Sequence, residues 1–157
     1  MAEENILGTQ VEYEKVQYMV IRLGDEHYGI NIKYIDNIVR LQHITRVPKI
    51  QNYFKGVINL RGEVIPVMSV RIKMGLEDDV YSNLSRIIII KIEADAAIGL
   101  LVDEVKEVIT LDETCIDKVA HDIRDERANF VTGVGKNNGG LITLLDMNAL
   151  VGDKEQA

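Results

Sequence analysis

The sequence predicts an all-β chain with short helices, folded as two small β-barrels related by internal duplication. Three observations carry that reading. Apolar residues gather in short runs such as VIRL, RIIIIKI and IGLLV between polar turns, the pattern of short strands rather than long amphipathic helices. The run Gly29, Ile30, Ile32, Ile35, Ile38 recurs seventy residues later as Gly99, Leu100, Val102, Val105, Val108. FKGV at 54–57 is echoed by FVTGV at 130–134, and the strand from Val64 by GLITLLD at 140–146. The matches keep their order, as a duplicated unit requires. The 157 residues suit one compact unit, 1–157, with about 18–82 in a first barrel and 83–151 in a second. Residues 1–15 and 152–157 read as flexible ends, and the barrel that the first strand joins is left open.

Taken in order, YMVIRLGDEHYGINI (18–32) reads as two strands around a polar turn. Ile32, Ile35, Ile38 and Val39 then have helical spacing, enough for a short amphipathic helix, while Ile38-Val39-Arg40-Leu41 equally suits a strand. HITRVPK is a connector, since Pro48 biases Val47 away from helix. GVINL and EVIPVMSVRI form a hairpin whose turn is Arg61-Gly62, with Pro66 pointing to an edge strand or a bulge. LEDDVYSNLS (76–85) is a polar loop. The plan then restarts: RIIIIKI (86–92) pairs with IGLLV (98–102), and Val102, Val105, Val108 and Ile109 repeat the helical spacing. LLDMNALV (144–151) reads as a closing strand and a short helix.

Composition narrows the function classes. A formal net charge of −7, without a dense basic cluster, argues against a nucleic-acid partner. No apolar run approaches the ~20 residues of a membrane-spanning helix, and the acidic N-terminus lacks the features of a secretory signal, so a cytoplasmic protein without membrane insertion is expected. His27, His43 and His121 stand apart, without a second ligand at metal-binding spacing. Cys115 cannot form an internal disulfide and reads as a semi-buried structural thiol. Asp103, Glu104 and Glu107 alternate with valines as the solvated face of a helical turn would. GVGKNNGG is a hairpin turn rather than a phosphate loop, because Asn137 follows Lys136 where a Ser or Thr is needed. No metal, cofactor or catalytic site is expected. The competing expectation is a ligand-binding or enzymatic cleft between the barrels, marked by converging polar groups.

GVINLRG followed by IPV, together with GINI, IDNI and GLLVDEVKEVITL, resembles the CheW family of chemotaxis coupling proteins from about Tyr18 to Val151. The resemblance implies two intertwined or adjacent five-stranded SH3-like barrels. It also implies a non-enzymatic adaptor that joins the cytoplasmic tips of methyl-accepting chemoreceptors to the regulatory domain of the histidine kinase CheA, with self-association in array rings. A free-standing adaptor is expected rather than CheA or CheV, because no kinase, phosphotransfer or receiver segment accompanies the domain.

The resemblance also implies a receptor-binding set: Ile35, Asn37, Gly56, Arg61, Ile87 and Val108. Asn37 departs from the glutamate frequent at that position. Arg61 would bond carboxylates or carbonyls at the rim of an apolar groove for a receptor helix. As residues alone, Arg61 is a solvated turn residue, Ile35, Ile87 and Val108 are core, and Gly56 permits a bend. Kinase-contact residues are not identified at this level.

Overall fold

The computed structural model describes residues 13–93, 96–118 and 126–152. The ends expected to be flexible fall almost entirely outside the described residues, as does His121. The first hairpin comprises β1 (Val16–Leu23) and β2 (Glu26–Asn31). One 3-10 turn at Ile32–Tyr34 leads into β3 (Ile35–Arg40). The second hairpin is β4 (Phe54–Leu60) and β5 (Glu63–Ser69), followed by the one-turn helix α1 (Val70–Lys73). The second copy supplies β6 (Arg86–Glu93), β7 (Ala96–Val102), β8 (Glu104–Leu111), the short β9 (Ile116–Lys118), β10 (Val131–Asn137), β11 (Gly140–Leu145) and α2 (Met147–Val151).

Both segments with helical spacing are strands. In the first, the 3-10 turn and a bulge at Asp36 intervene between Ile32 and Ile38. In the second, a bend at Asp103 and a bulge opposite the Val20/Ile21 step do the same between Val102 and Val108. Each break shifts a two-residue period to three, which mimics a helix. The arm EVIPVMSVRI is also shorter than expected, because Ser69 accepts a hydrogen bond from the Ile72 amide and opens α1.

The strands form two sheets, ordered β8-β1-β2-β11-β10-β9 (sheet one) and β3-β6-β7-β5-β4 (sheet two). The chain is therefore not divided near residue 82. The first hairpin of each copy is built into the sheet made by the rest of the other copy. β3 pairs with β6 and β8 with β1, while β5 lies parallel to β7 and β11 parallel to β2. Where sheet one has β9, sheet two has only the Thr45–Val57 bridge.

Pro66 lies in an interior strand, not at an edge. Its partner Val57 turns both backbone groups toward Thr45, at 2.8 Å each, so the pair makes no ladder bonds and the missing N–H costs nothing there.

Each sheet curls around its own core as a small SH3-like barrel. Ile58, Ile65, Val67, Ile87, Ile89 and Leu101 fill sheet two, and Val20, Ile109, Leu111, Ile142 and Leu144 fill sheet one. Gly29 and Gly99 face these interiors at matching places, against Leu144 and Ile87 respectively. A third core lies between the barrels, with Ile21, Leu23, Tyr28 and Ile30 from one sheet and Met68, Ile88, Ile90 and Leu100 from the other. The run RIIIIKI is thereby explained: Ile87 and Ile89 point into the barrel, Ile88 and Ile90 into the shared core, and both faces of β6 are buried.

An ionic clasp closes one side of the shared core. Asp103, at the crossover from sheet two to sheet one, takes two bonds from Arg71 (2.9 and 2.5 Å) and one from the Gly24 amide (2.8 Å). Arg22 stands 3.8 Å from the same carboxylate and bonds Glu104 at 2.8 Å. Asp103 is buried, so the expectation of a solvated helical face does not hold for it. Burial pushes its carboxyl up, and the Arg71 and Gly24 hydrogen bonds with the two arginine charges outweigh that, holding its pKa below the usual value. Asp79 behaves oppositely: burial outweighs the Ser69 hydroxyl bond and the Lys55 charge, and its pKa is raised.

The signs follow. A depressed Asp103 pKa gives stability that is present above the unfolded value and lost as pH falls through the folded one; a raised Asp79 pKa gives stability present at low pH and lost as pH rises through its folded value. Asp103→Asn is expected to cost about 3 kcal/mol at neutral pH, by breaking a buried ion pair. Urea midpoints for wild type and variant should converge as pH falls below the carboxylate range; a constant gap at all pH values would show that the charge of Asp103 contributes nothing.

Candidate functional site

The outer face of sheet two is apolar over more area than sheet one covers. Reading across the strands, Ile35 lies opposite Ile90, Ile90 opposite Ile98, and Pro66 opposite Val57. Val67 beside Gly99 sets Pro66 next to Ile98, completing the row. One row further in, Ile88, Leu100 and Met68 are buried in the shared core. Toward the open end Ile35 and Ile98 are half-buried and Val64 is exposed, because the barrel overhangs its neighbour there. The helix α2 faces this overhang and encloses a groove of about 360 Å³, with Ile90, Ile92, Ala96 and Ile98 on the sheet side and Asn148 and Val151 on the helix side. Asp146 caps α2 by accepting from the Ala149 amide at 3.1 Å, fixing where that wall begins.

The β4–β5 hairpin projects from the same sheet, ending in Arg61 and Gly62. Both have positive φ, 53° and 82°, as a two-residue type I′ turn requires. Asn-Gly suits such a turn best, and the second copy has it: Asn138 and Gly139, φ 52° and 81°, close β10–β11. Arg61 stands where a bulky side chain is unfavourable. Its guanidinium is exposed, and no bonding partner for it exists among the described residues. The turn is held instead by Asn59, whose side-chain oxygen accepts from the Gly62 amide at 3.2 Å.

The sequence-predicted residues separate into three groups. Ile35 and Arg61 belong to sheet two's open end, on its edge strand and its projecting hairpin. Asn37 is half-buried on the same edge strand, on the side that faces Ile89, and its side-chain oxygen accepts from the Ile38 amide at 2.8 Å, so its amide is engaged with its own backbone. Gly56 and Ile87 are structural. Ile87 is fully buried inside the barrel, which rules out direct contact with a partner in this structure. At Gly56 φ is 142°, and a Cβ would lie 2.1 Å from the Thr45 carbonyl oxygen, in the bridge that closes sheet two. Val108 is exposed, but on β8 of sheet one, opposite Met19 at the margin of the shared core. Sequence reasoning missed Ile98, Val64 and the α2 wall, since only the sheet order sets Ile98 opposite Ile90 with the strand of Val64 beside it, and only the fold brings α2 across from them.

The features expected of an active cleft are not gathered in the groove. Asp103 and Asp79, whose carboxylates are buried, are held in the clasp and by the Ser69 hydroxyl, the latter from within the 76–85 loop. No group of three or more metal-ligating side chains occurs among the described residues. His27 is exposed on β2, and His43 lies at a crevice under the 76–85 loop with Arg46, Lys55 and Tyr81. Cys115 is half-buried against the core of sheet one. Among the described residues, no helix is long and apolar enough to cross a membrane.

A pair of interlocked β-barrels with an open, largely apolar groove on the sheet whose projecting hairpin carries an exposed arginine, unpaired among the described residues, defines an interaction module. The chain belongs to the CheW family: it matches the CheW-like domain over residues 17–155. It is similar to the chemotaxis protein CheW of Helicobacter pylori, 36% identical over 138 residues, 88% of this chain and 82% of that protein. The chemotaxis protein CheW of Bacillus subtilis is 32% identical, covering 88% of each. Among solved structures it resembles the scaffolding protein TtCheW of Thermoanaerobacter tengcongensis, with a TM-score of 0.80 and 31% identity over 89% of this chain and 94% of that one.

Two substitutions separate structural from exposed positions. Gly56→Ala is expected to destabilise by about 3 kcal/mol or more, from steric overlap and a forbidden φ. Arg61→Asn should hold or raise stability by up to about 1 kcal/mol, since it places the preferred residue in the turn. Chemical denaturation measures both, and a large loss for Arg61→Asn would show that the guanidinium is part of the fold.

Proposed function

We propose that this chain is a non-enzymatic adaptor of bacterial chemotaxis, coupling the cytoplasmic tips of methyl-accepting chemoreceptors to the histidine kinase CheA. The observation that carries the proposal is the open groove of sheet two, on the sheet whose hairpin tip holds an arginine that its own turn disfavours. A helical hairpin tip lays one apolar helix face against Ile35, Ile92 and Ile98, while Arg61 bonds carboxylates or carbonyls at the rim. Asn37 lies beside that contact on the edge strand; Gly56 and Ile87 support it from within. Val108 acts from the other sheet's edge. Membership of a family whose named relatives are chemotaxis and scaffolding proteins supports the reading.

The kinase contact joins a barrel of this chain end to end with a barrel of CheA's regulatory domain. The adaptor works in the cytoplasm and is recruited to membrane-associated receptor arrays, where several modest contacts act together and copies of the chain associate in rings.

Titration of a labelled receptor-tip fragment, and separately of CheA's regulatory domain, tests this. Wild type should bind both saturably. Arg61→Ala should weaken the receptor fragment about tenfold or more, a loss of about 1.4 kcal/mol, and leave the kinase domain unaffected. No binding of either partner by folded wild type would overturn the adaptor; equal receptor binding by wild type and variant would return Arg61 to a solvated turn.

A further inference from the structure

The duplication relates the two sides of the shared core, and the two sides differ. On the open side, α2 faces the end of the β6–β7 hairpin across the groove, with Asn148 on the helix and Ile92, Ala96 and Ile98 on the strands. On the other side, α1 faces the end of the β1–β2 hairpin. The matching positions follow from the sheet registers and the helix caps. Ser69 and Asp146 cap α1 and α2, so Arg71 stands where the second copy has Asn148, and Met74 where it has Val151. Ile21 opposite Tyr28 corresponds to Ile90 opposite Ile98, and Leu23 to Ile92.

At this second place the groove is shut. Arg71 reaches across from α1 to Asp103, which also holds the Gly24 amide at the hairpin end. Leu23 and Tyr28 are buried, whereas Ile92 and Ile98 are half-buried and line an open groove. What remains outside the clasp is a smaller hollow of about 250 Å³, lined by Glu26, Tyr28, Met74 and Arg127, among others. The hairpin beside it carries Leu141, exposed as Val64 is in the other copy. A duplicated fold thus has two homologous docking places and leaves one fully open.

We propose that the Arg71–Asp103 clasp closes the second of two symmetry-related grooves and thereby limits the chain to one helical partner. The inference rests on the reading of the open groove as the site for a helical receptor tip. Asymmetry of this kind matters to an adaptor, because a second equal site would cross-link two receptor tips through one chain instead of joining a receptor to a kinase.

Isothermal titration of the receptor-tip fragment into wild type and into Arg71→Asn/Asp103→Asn decides it, with circular dichroism confirming the fold. Arg71→Ala, which leaves Asp103 its Arg22 and Gly24 partners, serves the same test where the double variant does not fold. Wild type should take one fragment per chain, and the variants a second, weaker one that is lost again on Leu141→Asp, an exposed position beside the second groove. One fragment per chain in folded variants, or two in wild type, would overturn the proposal while leaving the adaptor reading intact. Absence of binding to wild type would remove both.

Discussion

The exchange of hairpins between the two barrels is the constraint from which the rest follows. Because β1–β2 lies in the sheet built by the second copy and β6–β7 in the sheet built by the first, neither barrel can be completed without both copies. The exchange also turns the outer faces of β1, β2, β6 and β7 toward one another, and their side chains, with Met68, Leu145 and residues of the two short helices, make the shared core. Two barrels tied only by a linker would be free to move relative to each other. Here apolar burial and strand exchange join them, and Asp103 fixes the crossover to α1 and the β1–β2 turn.

In the proposed reading, binding follows from the imperfect fit of that shared core. Sheet two carries its apolar face beyond the edge of its neighbour, so Ile98 and Val64 remain accessible to a partner. Such a surface suits a helix: a broad apolar strip, a wall in α2 and a cation on a projecting hairpin. Sheet one has the same plan, with Asn-Gly at its hairpin tip and the Arg71–Asp103 clasp over the matching groove. Chemical difference between the two barrels, rather than any new element, leaves one groove open and the other closed.

Much of this was legible in the sequence. The repeat, the hairpin at Arg61-Gly62 and the strand pair RIIIIKI/IGLLV are local patterns, set by alternation and turn residues. The strands within the two segments of helical spacing were only partly legible, the first through Ile38–Leu41, because bulges at Asp36 and near Lys106 shift their period. The division into barrels was hidden for a different reason: nothing local says that β1 pairs with β8, more than eighty residues away. The binding set implied by resemblance mixed surface and core for the same cause. Ile87 and Ile90 look alike in RIIIIKI, yet one faces the barrel interior and the other the shared core beside the groove.

The most direct test of the central claim is hydrogen–deuterium exchange of the chain alone and saturated with a receptor-tip fragment. Protection is expected at Ile35–Asn37, along Arg61–Pro66, at the end of the β6–β7 hairpin and on α2, the elements that build the open groove. Protection confined to sheet one, with the groove exchanging as it does in the free chain, would contradict it.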